Sequence, residues 1–259
     1  MPVQFLPEMS KPPVAEVVCG AFFAPLDELD GLSLGAYWAE RRADFPERRL
    51  LPAVLDSVDT TIEMGLPPLR SWMISESEEY IVQLQRDRFY LNWRAARSQR
   101  YPRFHNTPGS RGIASLLSEE FARFSEFCER AARERPTLVQ ADLSKINTLM
   151  YGEHWKDFND LTAVLPILKG MDTAIDARTP EVNVQLIDQR DWTTMIKVQS
   201  GREQDGEKRA LIRLEIRVQG PLSDDSFDAT FDALNERINA AFLRLVPRDQ
   251  MLVRFGGRG

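Results

Sequence analysis

Residues Tyr80–Arg94 read YIVQLQRDRFYLNWR. Val82 and Leu84 alternate with Gln83 and Gln85, and Phe89, Leu91 and Trp93 alternate with Tyr90, Asn92 and Arg94. A period of two marks a strand that turns one face to a core. Arg86 and Asp87 leave room only for a tight hairpin between the two runs. Upstream, Trp72 and Ile74 alternate with Ser71 and Ser75, which adds a third strand with Trp72 and Ile74 directed inward. The three runs predict an antiparallel meander with one apolar and one wet face.

Working outward, Val14–Pro25 (VAEVVCGAFFAP) is rich in strand formers and stops at a proline. The spacing of Leu34, Tyr37, Trp38 and Phe45 predicts an amphipathic helix that ends before Pro46. Residues 46–69 read as a long connection with a short strand around Val54–Ile62. After the meander, Ile113, Leu116, Leu117, Phe121, Phe124 and Cys128 recur three or four apart, which predicts a long helix closed by Pro136. The order then runs again. Leu138–Tyr151 is a strand, Lys156–Gly170 a helix and Glu181–Asp188 a strand. WTTMIKVQS and ALIRLEIRVQG form a hairpin across the polar loop GREQDGEKR, and Ser223 caps a last helix that stops at Pro247.

Element order therefore predicts an α+β fold of duplicated β-α-β-β-β-α units, residues 1–136 and 137–259, fused into one globular domain. Its curved antiparallel sheet or sheets would carry the two long helices on one face. TATA-binding-protein-like saddles and effector-binding folds share that layout, which carries no function with it.

The chain has 259 residues, a net charge of -6 and two cysteines. That length supports a core without staples, and Cys19 and Cys128 sit in apolar patterns as core thiols. The N-terminal MPVQFLPEMSKPPV shows no signal peptide, and no window reaches the roughly 18 to 20 apolar residues of a spanning helix. A cytoplasmic protein without a membrane partner is expected, and the acidic balance argues against nonspecific DNA coating.

KPPVAEVVCG near the start, YIVQLQRDRFYLNWR in the meander and YPRF after it resemble a sporadically distributed bacterial family of conserved hypothetical proteins. Its members share a KPP entry, a QLQ-x-D-R-F hairpin with a following N-W, and a Y-P-x-F. The likeness is clear over residues 11–105 and continues as element order. It assigns no activity to any residue. The family's patchy distribution implies accessory genes of mobile elements, of the toxin-antitoxin or phage-defence kind.

The chemistry is read mainly by exclusion. His105 and His154 are the only histidines, which argues against a zinc site, and no metal or other cofactor is expected. No hydrolase elbow is read, and no catalytic residue is assigned. GLSLG at Gly31 and the C-terminal FGGRG depart from the Walker pattern and read as a turn and a loose tail. Asp224, Asp225, Asp228 and Asp232 read as helix-start acids, and His154 as a lone surface histidine beside a structural Trp155.

Arginines and aromatics crowd Asp87–His105, DRFYLNWRAARSQRYPRFH. With Phe89, Leu91 and Trp93 inside, Tyr90, Asn92 and Arg94 lie on the opposite face, and Lys197, Arg213 and Arg217 join them if the second meander extends the sheet. Arg97, Arg100 and Arg103 would form the rim, in a loop held extended by Tyr101 before Pro102. Three readings stay open: a non-enzymatic binding protein with a protein partner, a nucleic-acid-binding module, and a small-ligand sensor or enzyme with a pocket between sheet and helices. The oligomeric state is not legible.

Overall fold

The computed structural model describes residues 7–53, 69–95, 101–169, 181–187, 192–202, 210–223 and 226–258. In chain order the strands are β1 (Glu8–Met9), β2 (Val14–Phe23), β3 (Glu47–Pro52), β4 (Leu69–Ile74), β5 (Tyr80–Gln85), β6 (Arg88–Arg94), β7 (Leu138–Met150), β8 (Glu181–Ile187), β9 (Thr193–Arg202), β10 (Ala210–Pro221) and β11 (Gly257–Arg258). The helices are α1 (Gly31–Arg41), α2 (Ile113–Ala131), α3 (Phe158–Val164), α4 (Phe227–Leu245) and α5 (Arg248–Arg254). The fold is α+β on antiparallel sheet, as expected. Among the described residues no helix is long and apolar enough to cross a membrane. The chain divides into two compact units: Val18–Asp142 with Pro221–Phe231, here the first unit, and Met1–Val17 with Leu143–Gly220 and Asp232–Gly259, the second.

In the first unit the hydrogen-bonded order is β3-β4-β5-β6-β2. β5 and β6 turn at Arg86–Asp87, whose carbonyls accept from the N–H groups of Leu26 and Phe23. The helices cover the face that carries Val82, Leu84, Phe89, Leu91 and Trp93, all buried. Phe124 of α2 sits at its centre, with ring centroids 5.5 Å from Phe89, 5.6 Å from Tyr37 of α1 and 5.7 Å from Phe23 of β2. α1 begins where the Asp30 carboxylate accepts from the Leu32 and Ser33 N–H groups, and those bonds hold its pKa below the ordinary value.

Three expectations are corrected here. Ser71 pairs with Leu84 and Met73 with Val82, so Met73 takes the core position while Trp72 and Ile74 fall on the other face. That second face is not wet, since Gln83, Gln85, Arg88 and Asn92 are all buried. Residues 47–52 form a strand rather than part of a connection, because their backbone pairs with β4 along its whole length. The strand expected around Val54–Ile62 lies outside the described residues.

In the second unit the order is β7-β10-β9-β8. Ile212, Leu214, Ile216 and Val218 are buried in β10, and Leu234, Ile238 and Phe242 in α4. The helix expected over Lys156–Gly170 breaks at Pro166 into α3 and a 3-10 turn, Pro166–Leu168. Over Phe255–Arg258 the tail is not loose. Gly256 takes φ +62, which L side chains rarely adopt, and β11 then pairs with β1.

His154 is buried, not on the surface. Its Nδ1 accepts from the Met150 N–H at 2.8 Å, and its ring lies 5.5 Å from that of Phe255. Burial chiefly, with Arg254 adding and Glu153 opposing, holds its pKa below the ordinary 6.5. Folding thus favours the neutral imidazole. That contribution is complete above the unfolded value and is lost as pH falls below it towards the folded one. The urea midpoint should therefore drop between about pH 7.5 and pH 5.5 more in wild type than in His154→Gln, which keeps an acceptor for Met150. Equal drops would show that the histidine is not the group responsible.

Candidate binding face

On the second face of the first unit's sheet, β-pairing builds a cross-strand row. Trp72 lies opposite Gln83, and Gln83 opposite Tyr90. The Tyr90 ring extends over Gly20 of β2, where a Cβ would come within 2.2 Å of a ring carbon. Only glycine leaves space for the phenol to lie flat against the strand. Phe22 meets Tyr90 edge-on at 5.7 Å. Phe22, Trp72 and Tyr90 are each half-buried, so part of each ring stays accessible.

Guanidinium groups cover two of these rings. Arg88 lies 4.8 Å over Phe22, its charge met by Asp87 at 2.7 Å. Arg70 lies 5.3 Å over Trp72 and reaches Gln83 Oε1 at 3.4 Å. Burial pulls the Arg70 pKa down, with Tyr90 opposing and Arg88 adding. Two buried donors on this face have no acceptor, Nε of Arg70 and Nε1 of Trp72. A buried donor without a partner costs about 1–3 kcal/mol. The face is thus rich in donors and π surfaces, and it fits a group bringing carbonyl, carboxylate or phosphate oxygens.

The expected site residues divide among several places. Tyr90 and Asn92 share this face, Tyr90 half-buried and Asn92 buried. Arg94, at the end of the same strand, holds a turn: its Nε donates to the Glu78 carbonyl at 2.8 Å, and Glu78 has φ 60. Arg103 is exposed in the approach to α2, where its carbonyl accepts from the Ile113 N–H. Arg97 and Arg100 lie outside the described residues. Tyr101 and Phe104 anchor the described part of that loop, Phe104 buried and Tyr101 edge-on to Trp93 at 5.4 Å. Lys197, Arg213 and Arg217 belong to the second unit, where Lys197 lies opposite Glu215 and Arg213 reaches Glu16 at 3.8 Å. Arg70, Trp72, Arg88 and Phe22 were not foreseen. For Arg70 and Trp72 the signal is the β4–β5 register, which a single strand read alone does not contain, whereas Arg88 shares the parity of Tyr90 and Asn92 on β6.

Other chemistry is local and structural. Gly31–Gly35, GLSLG, has the Gly-x-Ser-x-Gly spacing of a hydrolase elbow. It is the first turn of α1 and not a strand-to-helix elbow, and the Ser33 hydroxyl donates to the Glu28 carbonyl at 2.9 Å. Burial pushes the Cys128 thiol up to about 12, so it is a core group and not a thiolate. Among the described residues, no three His, Cys, Asp or Glu side chains gather as a metal site would need. No protein-family model, curated protein or solved structure matches the chain.

Proposed function

We propose that this chain is a non-catalytic binding protein that recognises a partner protein through the Arg70, Trp72, Arg88 and Tyr90 face of its first unit. The observation that carries the reading is the pair of buried, unanswered donors at Arg70 Nε and Trp72 Nε1, side by side with half-buried aromatic rings. A segment rich in carboxylate or carbonyl oxygens would answer those donors and cover the rings. The family resemblance supports a bacterial accessory-module setting, with the partner encoded nearby.

A duplicated, saddle-like or effector-binding-like architecture is the finer reading of the fold. Leaving aside the separate β1–β11 pair, in each half the first strand lies beside the last, β2 beside β6 and β7 beside β10, and the middle strands follow in reverse order. Such repetition of order is what a duplication leaves when its sequence has drifted.

Single-stranded nucleic acid is the second reading. Aromatic rings on a sheet, with arginines stacked on them, are the elements of a base-stacking platform. Purification of the tagged protein from its native bacterium at low and moderate salt separates the two. A stoichiometric protein retained at moderate salt by wild type, and lost in both Arg70→Glu and Trp72→Ala, is the expected result. Nucleic acid that leaves as salt rises would transfer the face to the second reading. A partner retained by both variants would refute this face.

A further inference from the structure

On the helix side of the first unit lies a cleft of about 270 Å³, remote in chemistry from the face above. It opens between the end of α1, the part of α2 from Leu116 to Arg123, the start of β5 and the middle of β6. Phe45, Tyr80, Leu91 and Leu116 give it apolar walls, and Arg41, Arg111 and Arg123 bring three guanidinium groups to it. We propose that this cleft binds a small organic anion, an oxyanion head on a compact apolar or aromatic body.

The arginines differ in how firmly they are held. Arg41 is fixed: its guanidinium donates to both oxygens of the buried Glu120, at 2.8 and 3.0 Å, and its side chain is 14% exposed. Its Nε is buried without an acceptor. Arg111 is held loosely, with its side chain 56% exposed, whereas Arg123, 46% exposed, is anchored on the buried Glu120 at 2.5 Å. Arg111 pairs with the exposed Glu119, and Arg123 reaches that same carboxylate only at 3.8 Å. An exposed pair of this kind contributes little, so the Arg111 guanidinium can turn from Glu119 to an incoming oxyanion at small cost. One mobile fork at the mouth, two cations anchored on Glu120 and apolar walls between are the parts that recognition of a carboxylate or phosphate requires.

The acids also limit the ligand. Asp44, Glu119 and Glu120 balance the three arginines, so the cleft has no net cationic field to draw a bare ion from a distance. Inorganic phosphate alone is then held weakly, and the apolar body supplies the remainder. The volume lies just under that typical of drug-sized sites, which keeps the ligand small.

The full chain would be titrated calorimetrically with phenyl phosphate, phenylacetate and inorganic phosphate, in parallel with thermal melts. The expected result is saturable binding of at least one aromatic anion, with inorganic phosphate roughly tenfold or more weaker. Arg111→Met, on an exposed side chain, should keep the ligand-free melting temperature and weaken binding roughly tenfold or more. Arg70→Glu should leave this binding unchanged, which separates it from the proposed partner face. Absence of binding by both aromatic anions at millimolar concentration overturns the proposal, as does undiminished binding by Arg111→Met.

Discussion

Replacing Phe124 by alanine is expected to remove about 3–5 kcal/mol of unfolding free energy. The ring is fully buried and has four aromatic neighbours: Phe23 of β2, Tyr37 of α1, Phe89 of β6 and Phe121 one turn back on α2. Those neighbours come from four elements, so no single side-chain movement can fill the space that truncation leaves. The cost is the lost transfer energy of the ring plus an unfilled cavity. Urea unfolding followed by circular dichroism gives the loss directly, provided that each transition is fitted separately in a chain with two compact units. Phe124→Leu, which keeps most of the volume, should lose markedly less. A loss below about 1 kcal/mol for alanine would mean that α2 is not seated on this sheet as described.

The same core shows how far the sequence could be read. Val82, Leu84, Phe89, Leu91 and Trp93 alternate with polar residues, and all five are buried as the alternation implied. The helices were legible because Phe121, Phe124 and Cys128 recur at helical spacing beside charged residues. Trp72 was placed inward because, in one short run, size argues for burial. Its parity is set instead by pairing with β5, where Met73 meets Val82. A one-residue change in register sends a whole strand to the other face, and a lone strand cannot report it. ERRLLP escaped notice for a different reason. Edge strands carry charges to discourage further pairing, so β3 lacks the alternation that identifies a half-buried strand.

The candidate face was half legible. Tyr90 and Asn92 follow from alternation alone. Asp87 reads as a turn residue because the chain reverses there, yet its ion pair with Arg88 accompanies a guanidinium on the Phe22 ring. Gly20 gave no signal in an apolar run, although the position of Tyr90 depends on its missing Cβ. The wet face was expected from polar composition, and composition does not distinguish a solvated amide from a buried one. Gln83 and Asn92 are polar and still buried.

Glu120→Ala is the other large effect, expected at about 3–5 kcal/mol, because it breaks a buried pair by removing one partner. Glu120 joins two cations, Arg41 at 2.8 Å and Arg123 at 2.5 Å, with only 8% of its side chain exposed. Alanine would leave the Arg41 guanidinium largely buried beside Tyr37, whose own hydroxyl lacks a partner, and with only the exposed Asp44 to meet its charge. Burial first and the Glu120 carboxylate second hold the Tyr37 phenol above its ordinary pKa, and burial, which alanine at 120 leaves in place, still opposes the phenolate that would replace the missing charge. Glu120→Gln keeps an acceptor and should lose less. Arg41→Met combined with Glu120→Leu should restore most of the stability, since removing both ions also removes their desolvation cost. A double-mutant cycle on urea unfolding measures this, and a large coupling energy is the expected outcome. If the single and double variants were equally destabilised, Arg41 and Glu120 would be acting through packing. The fixed cation at the back of the anion cleft would then have no electrostatic anchor.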